Sequence, residues 1–516
     1  MTEVRAHTRA ARTRRTLAIA LATAAAGTTI AWVAGPPGTR FAPGIAILAL
    51  AAVLVAASAS RVAAAVAGAA ALLVLLRMLS SGAPAADLVG DDGLAVAVGR
   101  WLQAGGVVVA LGAAARVVAG PRRAGTAPGA AEAGVHAATD RTATDHMPAG
   151  RTATDPAARA RARTGRAGNR RARWAQVVAL LMLSAICAEL LQAYDDSTGR
   201  PFALLFAIAF FAPLYGGPAL IVREVARRTG RGWPSMVLMA TAFAIIQPGV
   251  IDQSLFSDSY RDIADWSDSL RATYIDTLGL SAFMAQAFVV GHVVFSFCAP
   301  IALVEAMRPA TARTPWLGIG GLAAHAALYL AVAAAVLTDH LATETSHATV
   351  AQVVGTLVVA VAFVVAALVI GRHGTAAPAS VSGEVAARQP GVRPRRSTPR
   401  VRTALLVGLL AGTLYHVAPE TWLGVALAVA VLTASGAALL HVARAPGWSL
   451  AHSAAVATGA LLSRALLAFT YYPVVGEVSA TRKYAHNVVM LLLVVAVGAY
   501  AQRRARRPAR PAKAMA

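Results

Sequence analysis

Long apolar runs separated by short polar connections organise this chain from end to end. The first four cover about Leu17–Ala34, Phe41–Ser58, Val62–Leu79 and Leu94–Ala119. Six follow, at about Ala175–Ala193, Pro201–Val222, Pro234–Ile251, Ser281–Ala306, Pro315–Leu337 and Thr349–Ile370. The last four lie at about Val401–Ala418, Trp422–His441, Ser449–Tyr471 and Tyr484–Tyr500. Crossing a bilayer takes roughly 20 apolar residues of helix. Because hydrocarbon leaves no water for the backbone to bond, such runs fold as helices. The pattern predicts an all-α, polytopic integral membrane protein of about 14 transmembrane helices, in blocks of four, six and four.

Charge orients this pattern. The chain carries a formal net charge of +23, which by itself invites a nucleic-acid partner. The arginines, however, are divided among alternate loops, so positive-inside sorting is the better reading and no nucleic acid is expected. Arg5 to Arg15 precede the first run as in an uncleaved signal anchor. The expected home is a bacterial cytoplasmic membrane, with both termini cytosolic. Residues 1–119 form an N-terminal four-helix block, and 120–174 a disordered basic cytosolic linker in which Arg141-Thr-Ala-Thr-Asp145 recurs as Arg151-Thr-Ala-Thr-Asp155. Residues 175–370 form the central six-helix block, 371–401 a second basic linker, 402–502 the C-terminal four-helix block and 503–516 a basic tail. The basic linkers are expected to meet anionic lipid headgroups. The long outer loop 252–280 repeats Ile263, Trp266, Leu270 and Tyr274 at helical spacing, after a helix start at Ser259 and Asp262. It is expected to form an amphipathic helix at the interface, either an anchor or a lid.

Ionisable groups inside the hydrocarbon are expensive and mark candidate sites. Glu189, His292, His325 and Arg464 fall inside runs, and Tyr215 sits among the helix breakers Pro213, Gly216, Gly217 and Pro218. Glu189, in the fifth run, and His292, in the eighth, lie at similar depth and are expected to face one another across the central block, where a carboxylate beside an imidazole relays a proton or holds a ligand. Pro248-Gly249 and Gly318, Gly320 and Gly321 break two further helices, as at transporter sites. Glu224 among Arg223, Arg227 and Arg228, and Glu305 beside Arg308, read as interfacial ion pairs. Asp339, His340, Glu344 and His347 share one loop without diagnostic ligand spacing, so no metal or other cofactor is assigned. Cys187 and Cys298 read as small packing residues rather than a disulfide.

Pro213-Leu-Tyr-Gly-Gly-Pro-Ala-Leu-Ile-Val-Arg-Glu224, Gly232-Trp-Pro234, Asp252-Gln-Ser-Leu-Phe256, His292, Ala299-Pro-Ile-Ala-Leu-Val-Glu305 and Trp316-Leu-Gly318 resemble a group of uncharacterised bacterial polytopic membrane proteins over about residues 175–325. Phe288-Val-Val-Gly-His292 and His325 are also similar to the His-bearing helices of CAAX-processing and bacteriocin-processing intramembrane proteases. That likeness implies a hydrolase, but Arg223 replaces an acid of the Glu-Glu-x-x-x-Arg pattern and Gln247-Pro248 stands where an acidic pair belongs. Without a carboxylate to activate water, no catalytic residue is assigned. The leading expectation is a transporter-like protein handling a small or lipidic ligand. A degenerate intramembrane hydrolase and a structural or assembly subunit are the alternatives.

Overall fold

The computed structural model of the protein describes residues 2–34, 43–57, 61–80, 94–119, 172–195, 197–370 and 398–507. Most of the two basic linkers, the tail beyond residue 507, and Asp87, Asp91, Asp92 and Asp196 lie outside the described residues. Each predicted run coincides with a helix. The first block holds α1 (Thr2–Ala34), α2 (Pro43–Ala57), α3 (Arg61–Ser80) and α4 (Leu94–Ala119). The central block holds α5 (Ala172–Leu190), α6 (Pro201–Arg228), α7 (Trp233–Ile251), the short α8 (Trp266–Arg271), α9 (Ala282–Met307), α10 (Ile319–Thr343) and α11 (Val350–Ile370). The chain ends with α12 (Val401–His416), α13 (Trp422–Ala443), α14 (Leu450–Leu467) and α15 (Ala480–Arg506). Ten of these helices are long and apolar enough to cross a membrane. The molecule is therefore an all-α, multi-pass membrane protein. Large apolar side chains face outward along it, among them Phe202, Phe206, Ile319 and Val358. Lipid, not water, is the solvent those side chains require.

Small residues let the helices approach closely. A methyl group added at Gly27 would lie 2.5 Å from the Gly99 carbonyl and the Gln103 amide, so α1 and α4 touch backbone to backbone. Gly408 and Gly459 do the same between α12 and α14. The three sequence blocks share their cores. Leu410 and Leu414 of α12 pack with the first block. Leu461 and Ala465 of α14 and Met490 and Val494 of α15 pack against Cys187, Leu190, Phe295 and Leu303 of the central block. This last contact brings Arg464 beside the central helices.

Four helices of the central block are interrupted by π-turns, at Ile186–Leu190, Ala212–Gly216, Gln247–Ile251 and Gly291–Cys298. Pro213, Pro218 and Pro248 lack the N–H that an α-ladder needs at their positions. The α6 and α7 turns thus follow from sequence breakers. Pro300 stands two residues past the α9 turn in the same way, whereas the α5 turn has no proline beside it.

Candidate functional site

Each π-turn carries one of the polar residues of the central block: Glu189, Tyr215, Gln247 and His292. Glu189 is buried, and its carboxylate accepts a very short hydrogen bond from the Tyr194 hydroxyl. Tyr194 is five residues beyond Glu189, past the end of α5, and the chain turns it back onto the carboxylate after Ala193, whose φ is +54°. A search at helical spacing therefore misses it. Burial pushes the Tyr194 phenol well above its ordinary range, and the nearby Glu189 adds to this, so Tyr194 keeps its proton and serves as donor. The Tyr215 hydroxyl lies within electrostatic reach of the same carboxylate. The Tyr215 ring stacks on the His292 imidazole with centroids 5.4 Å apart and planes inclined by 23°. His292 Nδ1 in turn lies 3.4 Å from Ser296 Oγ. Glu189 and His292 thus belong to one polar line, with Tyr215 between them rather than in direct contact.

Arg464, in the last turn of α14, comes to the same place from the C-terminal block. Its guanidinium lies 4.7 Å from the centre of the Phe295 ring, and the opposing α9 segment carries His292 one turn earlier. Its Nε has no hydrogen-bond partner, and no ion pair joins it to Glu189 or any other carboxylate among the described residues. Glu189 is near enough only to influence it through space. An arginine within a membrane span costs about 2.5–3.5 kcal/mol on insertion scales. The cation–π contact offsets about 0.5–2 kcal/mol, and a helix C-terminus about 0.3–1 kcal/mol. The two together meet that cost only at the top of their ranges.

His325 stands apart from this group. Its Nδ1 lies 2.8 Å from the Gly321 carbonyl one turn back, and its ring faces Trp174. Its helical neighbour Tyr329 packs edge-on against Phe243. No hydrogen bond or ring contact among the described residues joins His325 to His292.

A second polar group lies at the far end of α6. Arg223, Glu224 and Glu305 are fully buried. Glu305 accepts from Arg223 Nε at 3.2 Å and from Arg227 Nε and Nη2 at 2.8 and 2.6 Å, not from Arg308. Glu224 accepts from Arg223 at 2.5 Å and Arg228 at 3.3 Å, and from the backbone N–H groups of Trp316 and Leu317 at 2.8 and 3.2 Å. Arg223 also donates to the carbonyls of Thr311, Ala312 and Thr314 and lies 3.6 Å above the Trp316 ring. This cluster ties α6, α9 and the entry to α10, three arginines sharing two glutamates and the neighbouring backbone carbonyls. Glu224, the acid of the protease-like spacing, is thereby committed to holding the fold. No group of three His, Cys, Asp or Glu residues among those described converges as a metal site.

The outer loop differs from its expected form. Arg261, Asp262 and Asp265 adopt positive φ of 50°, 50° and 61°, which stops a helix from starting at Ser259. Only α8 forms, followed by the two-residue strands β1 (Tyr274–Ile275) and β2 (Leu280–Ser281). Trp266 turns inward, donating from Nε1 to the Ser257 carbonyl at 2.9 Å and stacking on Tyr260 and Phe288. The loop also brings Arg261 within electrostatic reach of Glu189 and Tyr194.

The profile of an uncharacterized membrane protein family matches residues 178–447, just over half of the chain. The chain belongs to this family. The family segment runs from α5 through α13, well beyond residue 325 where the sequence resemblance stopped. It contains Glu189, Tyr215, His292 and His325, but ends before Arg464. No curated protein and no solved structure matches the chain.

Proposed function

We propose that this family member is a transporter-like protein of the bacterial cytoplasmic membrane, handling a small or lipidic ligand, with both termini in the cytosol. In this reading Glu189, Tyr215 and His292 pass a proton along one line while the ligand occupies the adjoining space near Arg464. The observation that carries it is the meeting of a buried carboxylate, a tyrosine and an imidazole at π-turns of three helices. π-Turns concentrate at functional sites, and intramembrane ionisable chains serve as relays. Tyr194 donates its hydroxyl proton to Glu189, the Tyr215 hydroxyl lies within reach of that carboxylate, and the imidazole stacked on Tyr215 is the next group able to exchange a proton.

The test uses purified full-length protein in liposomes loaded with a pH-sensitive dye, with a potential imposed by a potassium gradient and valinomycin. Proton entry above that of empty liposomes is expected for the wild type and for His325→Ala. It should fall to background in Glu189→Gln and His292→Ala. Wild-type liposomes no leakier than empty ones, or undiminished flux in both variants, refutes the relay.

A further inference from the structure

Helices α6 and α15 begin at the same surface of the molecule. Gly199, just ahead of α6, has a φ of +72°, and a methyl group added to it would lie 2.9 Å from Arg482 Cβ in the first turn of α15. Its N–H donates to His486 Nδ1, one turn further along α15, at 3.4 Å. Both helices are long and apolar enough to cross a bilayer, so their shared start lies at headgroup level. In the orientation proposed above this is the outer face, where positive-inside sorting leaves few arginines.

Two arginines nevertheless meet there. Arg200 stands at the entry to α6 and Arg482 in the first turn of α15; both are exposed, and both line one open pocket of about 510 Å³. No carboxylate lines that pocket. Phe202 and Ala203, in the first turn of α6, line it too and add the positive end of that helix to the two guanidinium charges.

Below each arginine the surface turns apolar. On α6, Phe202, Leu205, Phe206 and Ala209 share one face at helical spacing, and all are exposed, Phe202 at 89%. On α15, Ala485, Val489 and Leu492 continue the exposed stripe that Arg482 begins. A pair of guanidinium groups at headgroup level, above two apolar stripes, matches a molecule with an anionic head and acyl chains. A phosphodiester accepts charge-assisted bonds from both arginines, and the chains lie along the stripes. A soluble phosphate would engage only the arginines. A zwitterionic lipid would set its own cation beside them.

We propose that Arg200 and Arg482 hold the headgroup of an anionic phospholipid whose acyl chains run down α6 and α15. The lipid would bridge the central block and the C-terminal block. This site lies apart from the Glu189–His292 line and from the basic linkers, and Arg482 is beyond the segment matched by the family profile.

Full-length protein in a neutral detergent tests it by thermal unfolding, read by a fluorogenic maleimide that reacts with Cys187 and Cys298 as they become exposed. Three probes are compared: phosphatidylglycerol and phosphatidylcholine in mixed micelles, and inorganic phosphate against chloride at equal ionic strength. Phosphatidylglycerol is expected to raise the unfolding midpoint well above the effect of phosphatidylcholine, and phosphate to act no more than chloride. In Arg200→Gln and Arg482→Gln the apparent affinity for phosphatidylglycerol falls roughly tenfold or more, the loss of one charge-assisted bond or greater. Both side chains are exposed, so the midpoints of these variants without lipid should match the wild type. Arg482→Lys, which keeps the charge and loses the planar fork, retains a weakened response. Equal stabilisation by the two lipids, stabilisation by phosphate equal to that by phosphatidylglycerol, or an undiminished phosphatidylglycerol response in both glutamine variants overturns the proposal.

Discussion

Replacing Glu305 with leucine isolates the energetic role of the buried charge cluster. Glu305 sits on α9 with no exposure and receives three hydrogen bonds from two arginines of α6. Leucine fills similar volume but accepts nothing. Arg223, itself fully buried, loses one carboxylate and retains Glu224 and its three carbonyls, whereas Arg227 loses its only acceptor among the described residues. Removing one partner of a buried pair typically costs about 3–5 kcal/mol, because the remaining charge stays desolvated. The central block is close to 200 residues, for which each kcal/mol moves the unfolding midpoint by about 2–4 °C. The expected drop is therefore about 6–20 °C. The maleimide assay measures it on the protein's own cysteines, since Cys187 is buried and Cys298 partly so. Removing Arg227 as well should recover part of the loss, because the uncompensated cation leaves with it. A midpoint for Glu305→Leu within a degree or two of the wild type refutes the claim that this cluster clamps α6 to α9.

Three further outcomes follow from the geometry. Gly459→Val places side-chain atoms against the Leu405 carbonyl, where even a methyl group has no room, so α12 and α14 must separate; overpacking of this kind costs about 1–3 kcal/mol or more, and a midpoint unchanged in thermal unfolding contradicts the close crossing. Tyr215→Phe keeps the ring on His292 but removes the hydroxyl beside Glu189, so proton flux in liposomes drops while thermal stability changes little; undiminished flux takes Tyr215 out of the relay. Burial holds the Asp252 carboxyl above its ordinary range, although Ser254 and Gln247 donate to it. A raised folded value means that the fold binds the proton more tightly than the unfolded chain, so Asp252 contributes stability below the ordinary carboxylate value and loses it as pH rises through the folded one. Unfolding midpoints of the wild type should fall relative to Asp252→Asn across that window, and parallel pH curves would exclude the effect.

The one-dimensional pattern determined the class of molecule. Runs of apolar residues long enough to cross a bilayer leave the backbone no choice but helix, and each run coincides with one. It also marked Glu189, Tyr215, His292 and Arg464, because charge and helix breakers inside hydrocarbon are costly wherever they point. Tertiary structure decided which of them meet. His325 was indistinguishable from His292 by sequence, yet it turns to its own helix at Gly321, while His292 stacks on Tyr215. Tyr194 joins Glu189 because the chain turns back past the end of α5 at Ala193, a non-glycine residue with positive φ that no local propensity signals. Glu305 pairs with arginines far away in sequence rather than with nearby Arg308. Hydropathy is a property of each segment alone and is written along the chain. Pairing depends on which faces of separate helices come together, and that is fixed only by the packing of the folded bundle.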